Sequence, residues 1–306
     1  MFTLLLEGED KSCCLGGGVL GLDADNHSMP SLLPRGAFWI LRISSMDKEY
    51  ILNPDASVAY EGIEVLTPAE VAVAMNFANN ALRELSDTTM RFDINIFETL
   101  GMRNLSGMIG EYFARSVMKL SDGKLESNLH QDGYPDLLLV DTPEKKAYFE
   151  KLYSIKDGRK YPIDKEHFSP FKYGGIEVKA TCGSTPSADK VPKPLIGEQR
   201  VTLVNGFDWK AHHRTTNHLF AILWDFIDGL PTYVAAFYQD SLEIGDWGKI
   251  VQPREGGGRT TSVSIMNSVG IKKMCNNWVA VINDRLYIDL LAKQKWIGYR
   301  VDRNLI

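Results

Sequence analysis

The stretch "GGIEVKAT", residues 174–181, places an acid and a base inside an apolar run. Side chains on a β-strand alternate between its two faces. Read as a strand, the segment points Ile176 and Val178 one way and sets Glu177 beside Lys179 on the other face. A Glu-x-Lys triplet also arises by chance on half-exposed strands, so the surrounding sequence has to decide its meaning.

Upstream, "DGYPDLLLV" (132–140) pairs a turn signal with an apolar run. The run "LLLV" is typical of a strand buried on both faces, and Asp136 stands where that strand begins. Residues 142–173 are polar, aromatic and lysine-rich, so we predict an excursion that leaves this strand and returns at 174. If residues 142–173 belonged to the sheet instead, Asp141 would replace Asp136 as the candidate functional carboxylate.

Helical patterns precede these strands and further strand patterns follow them. Thr67, Pro68 and Glu70 form a capping box that opens a predicted helix over 67–85. A second apolar stripe predicts a helix over 104–120, with Glu111 at its edge. Strands are predicted at 36–45 and in "EYILN" as a hairpin, and at "LFAILWDFI" and "PTYVAAFYQ" around the turn "DGLP". "FDWKAHHRTTN" (207–217) is predicted to be helical in part. Together these helices and strands predict an α/β fold.

Composition and length describe an ordinary globular chain. It has 306 residues, 44% of them apolar and 24% charged. The longest apolar run, at 218–227, is about half of what a membrane helix needs, and the N-terminus lacks the basic flank of a signal peptide. Cysteines 13, 14, 182 and 275 have no CxxC spacing, which disfavours zinc and a disulfide framework. We therefore expect a cytoplasmic protein without a membrane partner.

Charge is distributed unevenly along the chain. The net charge of −5 divides into −11 for residues 1–150, with 12 Lys and Arg against 23 Asp and Glu, and +6 for residues 151–306, with 22 against 16. Such asymmetry is a hint of a surface that faces a polyanion. A solvated basic face would produce it as well.

The order of these features, a helix carboxylate (Glu111), Pro135-Asp136 at a strand start and then Glu177-x-Lys179, resembles the PD-(D/E)XK nuclease superfamily. Its best-known members are type II restriction endonucleases. The resemblance covers about residues 104–240 and implies a central mixed β-sheet flanked by helices, with a metal site at one edge. On this basis we expect a restriction-endonuclease-like core in residues 101–306 and an N-terminal elaboration in residues 1–100, within one compact domain. The 41 residues between Asp136 and Glu177 exceed the spacing usual in that family.

The residue types suit hydrolysis of a phosphodiester. The carboxylates of Asp136 and Glu177 offer hard oxygen ligands of the kind that Mg²⁺ prefers, and the carbonyl of Val178 adds a third. The metal would lower the pKa of a bound water, and Lys179 would orient or deprotonate that water, its own pKa being lowered beside the metal. Glu111 is a further catalytic candidate, although an exposed helix glutamate paired with Arg115 would look the same.

Candidate DNA contacts follow from two later segments. Lys210, His213 and Arg214 in "WKAHHRTTN" are predicted to contact phosphates. Arg254 and Arg259 in "PREGGGRTTS" are predicted to read guanine and Asn267 to read adenine, although a mobile surface loop explains the glycines equally well. No Gly-Lys-Ser/Thr follows those glycines, so no nucleotide cofactor is expected.

The resemblance implies a Mg²⁺-dependent endonuclease, a type II restriction enzyme that cuts double-stranded DNA as a homodimer and leaves 5′-phosphate and 3′-hydroxyl ends. Three alternatives stay open. One is a repair or recombination nuclease of the same fold. Another is a DNA-binding protein with an inactive nuclease core. The third is a glycosidase that uses two carboxylates, which would give Lys179 no role.

Overall fold

The computed structural model describes residues 47–211, 214–252 and 262–297. Its thirteen strands and five α-helices in these ranges are, in chain order, β1 (Tyr50–Leu52), β2 (Val58–Tyr60), β3 (Ile63–Leu66), α1 (Pro68–Met90), α2 (Ile96–Leu120), β4 (Leu125–Ser127), β5 (Leu137–Leu139), α3 (Pro143–Glu150), β6 (Tyr153–Lys156), β7 (Arg159–Pro162), β8 (Gly175–Thr181), β9 (Lys210–Ala211), β10 (Leu219–Ile227), β11 (Leu230–Gln239), β12 (Ser264–Ile265), α4 (Ser268–Asn276), β13 (Trp278–Ile282) and α5 (Arg285–Lys293).

A seven-stranded mixed sheet forms the centre, in the order β1-β13-β11-β10-β8-β5-β4. Strands β8 and β10 are parallel, while the other neighbours are antiparallel. Both faces are covered, because alternate residues of β10 enter different cores: Phe220 and Ile222 pack with α1 and α2, while Leu219 and Ala221 pack with α4 and α5. The predicted α/β class with a mixed sheet and flanking helices is therefore confirmed.

Helix α1 begins as the sequence indicates. The Thr67 hydroxyl accepts from the Glu70 amide and the Glu70 carboxylate accepts from the Thr67 amide, which completes the capping box. Helix α2 begins eight residues earlier than predicted, at Ile96, where Asn95 caps it. A kink at Gly101, whose φ is 67°, interrupts the regular helical pattern. The helix itself spans residues 100 and 101, between which the sequence predicted the boundary of the N-terminal elaboration.

Strands β5 and β8 lie side by side, and residues 142–173 form the predicted excursion between them. The excursion consists of α3 and the hairpin β6–β7, and it is anchored by a small core of its own. The members of that core are Leu138, Val140, Phe149, Leu152, Phe168 and Phe171.

One element was predicted wrongly. In the described part of 207–217 there is no helix: Lys210 and Ala211 form β9, which pairs with β12. The ring of Trp209 stacks on Phe207 with centroids 4.6 Å apart and is fully buried. Tertiary packing therefore determines the conformation of this segment. Of the predicted N-terminal hairpin, "EYILN" forms β1, and residues 36–45 lie outside the described residues.

Candidate metal and phosphodiester site

The site lies at the edge of β8 that faces β5. The ladder between the two strands joins Leu137 to Ile176 and Leu138 to Gly175, so it ends just before Glu177. The amide of Glu177 points the other way, donating to the His218 carbonyl at the start of β10 (3.1 Å). The amide and carbonyl of Val178 consequently point toward the β5 side, beyond the end of the ladder, where they have no strand partner among the described residues.

Asp136 and Glu177 meet at this edge. The Val178 amide donates to Asp136 Oδ2 at 2.8 Å, and the Asp136 amide donates to Glu177 Oε2 at 3.3 Å. These two reciprocal bonds fix each carboxylate against the backbone of the other strand. Residues 41 positions apart in sequence are therefore joined locally.

Lys179 completes the arrangement from the same face of β8 as Glu177. Its Nζ is hydrogen-bonded to Glu177 Oε1, lies 3.0 Å from the Val178 carbonyl oxygen and lies 3.5 Å from Asp136 Oδ2. The predicted pairing of Glu177 with Lys179 on one strand face is confirmed. Three oxygen atoms thus converge on one cationic group.

Burial and charge set the protonation of this cluster. Burial raises the pKa of Glu177 to about 7, because the attraction of Lys179 offsets only part of the desolvation. For Lys179, burial acts to lower the pKa, but the carboxylates of Glu177 and Asp136 outweigh it and the pKa is raised. With protein groups alone as neighbours the direction is thus opposite to the one expected beside a metal, and Lys179 is an ammonium.

A cavity of about 690 Å³ opens in front of this edge, between α2 and the segment that precedes β9. Asp136, Val178 and Lys179 line it from the sheet. Helix α2 contributes a wall of small residues, together with Arg103 and the exposed Glu111. Glu111 therefore lines the same cavity as Asp136 and Lys179, and the alternative ion pair with Arg115 is absent from the ion pairs of the described ranges.

The far end of the cavity holds a second polar group that the sequence alone did not reveal. Thr181 follows Lys179 on the same strand face, and its hydroxyl donates to Asp208 Oδ1, while Lys210 Nζ lies 2.9 Å from Asp208 Oδ2. All three residues line the cavity. The period of two would have revealed Thr181, whereas Asp208 belongs to a loop whose position depends on tertiary contacts.

The other predicted site residues have separate positions. Asp141 pairs with Lys145 at 2.6 Å beyond the opposite end of β5, so Asp136 is the carboxylate beside Glu177. Arg214 donates to the Ile244 carbonyl at 3.1 Å and is not among the residues that line the cavity. Asn267 caps α4 with its oxygen and donates its amide to the Gly245 carbonyl at 2.7 Å, so both groups needed for reading adenine already have partners. His213, Arg254 and Arg259 lie outside the described residues.

Within the described ranges no group of three or more His, Cys, Asp or Glu side chains is arranged to hold a metal ion. The ligand set expected from the sequence, two carboxylates and one backbone carbonyl, has fewer than three such side chains. Across the same ranges, no helix combines the length and apolar character needed to cross a membrane. No protein-family model matches the chain, and comparisons with curated proteins and with solved structures give no match either.

Proposed function

We propose that the protein is a Mg²⁺-dependent endonuclease of the PD-(D/E)XK type that cuts double-stranded DNA at a specific sequence, as type II restriction enzymes do. One observation carries the proposal: Asp136, Glu177 and Lys179, the residues on which the resemblance depends, contact one another, and Asp136 and Lys179 line a cavity. The nature of the ends, 5′-phosphate and 3′-hydroxyl, is part of the proposal by resemblance.

The oxygen atoms at the site suit a magnesium ion. Asp136 Oδ2, Glu177 Oε1 and the Val178 carbonyl all approach Lys179 Nζ, so the protein already gathers three hard oxygen donors around one positive charge. Mg²⁺ takes oxygen ligands and keeps several waters, which an open cavity permits. Bound there, Mg²⁺ would supply Lewis-acid polarisation of the phosphate and a bound water of lowered pKa.

The protein groups have separate tasks in this proposal. Asp136 and Glu177 hold the ion and are themselves held by the backbone bonds that join the two strands. Lys179, on the side of the same oxygens, donates a hydrogen bond that orients the attacking water and stabilises negative charge as it develops. Glu111, across the cavity on α2, is positioned to accept a hydrogen bond from a water in the cavity.

The surroundings favour an open, working site over an inactive core. The side chains of Asp136 and Lys179 are 31% and 22% exposed, and both line the cavity. A glycosidase would leave unexplained why an ammonium lies between its two carboxylates. Lys210 also lines the cavity, at its far end, where it is paired with Asp208.

The test is incubation with plasmid DNA in Mg²⁺, in Ca²⁺ or in chelator, followed by sequencing of the ends. We expect discrete fragments in Mg²⁺ only. Glu177→Ala and Lys179→Ala should lower the cleavage rate by about a hundredfold or more, because each removes a group that acts in the transition state. Asp289→Ala, which removes an exposed carboxylate on α5, is the matched control and should cut normally.

Circular dichroism and thermal unfolding establish that each variant is folded. A smear of products, or intact plasmid in every metal, would contradict cleavage at a fixed sequence. Cutting confined to mismatched or branched duplexes would assign the protein to repair or recombination instead. Binding without any cutting in Mg²⁺ would indicate an inactive core.

A further inference from the structure

We infer that one face of the β6–β7 hairpin is a docking surface for double-stranded DNA. The inference rests on the proposed function for the choice of DNA as the ligand. It assigns a binding role to the excursion between the two strands that carry Asp136 and Glu177.

The hairpin is a self-contained two-stranded ribbon. Within the described residues, β6 and β7 pair only with each other, from Tyr153 opposite Pro162 to Lys156 opposite Arg159. Asp157 and Gly158 form the turn, with φ values of 50° and 73°, as a tight two-residue hairpin turn requires. The ribbon therefore has two faces, neither of which is part of the central sheet.

One of these faces packs on the protein at its Tyr153 end, while Ile155 on the same face is 67% exposed. Lys160 Nζ lies 4.4 Å from the ring centroid of Tyr153 and 5.3 Å from that of Phe149 on α3. The rings of Phe149 and Tyr153 are themselves 5.4 Å apart. This face anchors the ribbon to the small core of the excursion.

The opposite face, which we call the free face, carries Ser154, Lys156, Arg159 and Tyr161. The register places Ser154 opposite Tyr161 and Lys156 opposite Arg159, so the four side chains point the same way. All four are exposed. Across the described ranges they make no side-chain hydrogen bond, ion pair or ring contact.

The chemistry of the free face complements a nucleic-acid backbone. It presents two cations, two hydroxyl groups and an aromatic ring but no carboxylate, since the one acid of the hairpin, Asp157, lies in the turn. Lys, Arg, Ser and Tyr are side chains that contact phosphates in protein–DNA complexes. A two-stranded ribbon is also narrow enough to enter the major groove of B-form DNA. The wider excursion is basic too, with eight Lys and Arg against five Asp and Glu in residues 142–173.

The last part of the excursion, which follows the ribbon in the chain, is hydrogen-bonded to the segment that carries Asp136. Tyr134, two residues before that aspartate, donates its amide to the Phe168 carbonyl at 2.7 Å and accepts from the Phe171 amide at 3.0 Å. Asn128 Nδ2 also donates to the carbonyls of Pro135 and Phe168. The excursion that carries the ribbon is therefore fixed to the strand start that carries Asp136.

The test compares the double variant Lys156→Ala/Arg159→Ala with the double variant Lys272→Ala/Lys293→Ala. Both remove two exposed positive charges, but the second pair lies on α4 and α5. Binding of each full-length protein to a 30-bp DNA duplex is followed by fluorescence anisotropy in Ca²⁺ at several salt concentrations. We expect the ribbon variant to bind about tenfold more weakly or worse, and the plot of log K against log salt to lose about 2 units of slope.

The control variant should stay within about twofold of the wild type, because charges remote from the ligand contribute little at moderate salt. Equal binding by the ribbon variant and the wild type, or equal weakening by the control, would overturn the inference. So would preference for an RNA duplex of the same sequence. Because binding is measured without cleavage, a wild type that binds through the ribbon but never cuts DNA would refute only the nuclease proposal. A wild type that cuts DNA while the ribbon variant binds normally would refute only the ribbon.

Discussion

Lys179 competes for the place that the proposal gives to a divalent cation. Its Nζ contacts the same three oxygens that would bind the ion, and it has Glu177 and Asp136 as ionic partners. Two carboxylates this close stay ionised together only beside a positive charge, because otherwise one of them takes up a proton; the ammonium or a metal can supply that charge. The two cations therefore influence each other's occupancy at this site.

Removal of the ammonium should make the protein more dependent on a divalent ion. We expect Lys179→Ala in chelator to be about 2 kcal/mol or more less stable than the wild type, because a largely buried carboxylate loses its partner. Addition of 10 mM Ca²⁺ should raise the Tm of Lys179→Ala by about 2–4 °C more than it raises that of the wild type, which corresponds to about 1 kcal/mol of tighter binding. Differential scanning calorimetry measures both effects without reference to activity.

Lys145→Ala is the matched control. Lys145 also pairs with a carboxylate, that of Asp141 at 2.6 Å, but this ion pair has one carboxylate and lies away from the cavity. Its response to Ca²⁺ should equal that of the wild type. A Tm of Lys179→Ala that is insensitive to Ca²⁺, Mg²⁺ and Mn²⁺ alike would mean that Asp136 and Glu177 do not share an ion.

At the scale of elements, the close approach of β5 and β8 depends on Gly175. Its φ is 151°, and a Cβ added there would lie 1.9 Å from the Leu137 carbonyl oxygen. No side chain fits against a backbone carbonyl at that distance. The glycine thus permits the contact that places Asp136 beside Glu177.

Gly175→Ala should therefore separate the strands. We expect a loss of roughly 2–4 kcal/mol in the free energy of unfolding, in the range of substitutions that force a backbone shift in a packed region. Urea unfolding gives the stability, and Ca²⁺ binding to the folded fraction reports the site. Gly245→Ala, where an added Cβ meets nothing within 4 Å, should change stability by less than about 1 kcal/mol. Equal stability of the two variants would show that the β5–β8 contact is not limited by this glycine.

Elements governed by local signals could be predicted from sequence, and those governed by distant partners could not. The capping box defines the start of α1, and apolar runs define β5, β10 and β11. Residues 210–211 were mistaken for helix because their partner, Ser264–Ile265, is more than fifty positions away. The start of α2 was missed because Gly101 interrupts its pattern.

The same distinction applies to the site. Asp136, Glu177 and Lys179 could be grouped by their order in the chain and by the period of a strand. Asp208 could not, because its place beside Thr181 follows from the path of an irregular segment across the sheet. Asn267 was misleading for a related reason: an exposed asparagine before a helix is a typical N-cap, and that is the use to which the fold puts it.

At the scale of the whole molecule, charge is distributed unevenly along the sequence. Residues 151–306 carry +6 and residues 1–150 carry −11. The basic part contains Lys179, Lys210 and the β6–β7 ribbon, so the features that we propose to face DNA belong to the same half of the sequence. Positive groups near a binding site speed the approach of a polyanion, and salt weakens that effect.

One chain supplies one cluster of Asp136, Glu177 and Lys179, whereas duplex DNA has two strands of opposite direction. A two-fold symmetric homodimer, as the resemblance implies, would apply one cluster to each strand.

Dimers that combine a wild-type chain with a Glu177→Ala chain should then cut only one strand. Coexpression of the two chains with different affinity tags allows the mixed dimer to be isolated, and supercoiled plasmid distinguishes a nicked circle from a linear product. We expect nicked circles from the mixed dimer, linear DNA from the wild type, and linear DNA from a wild-type chain paired with Asp289→Ala. Linear DNA produced directly by the mixed dimer would mean that one cluster cuts both strands in turn. If light scattering finds the protein monomeric and no mixed dimer can be isolated, the two-fold arrangement is removed from the proposal.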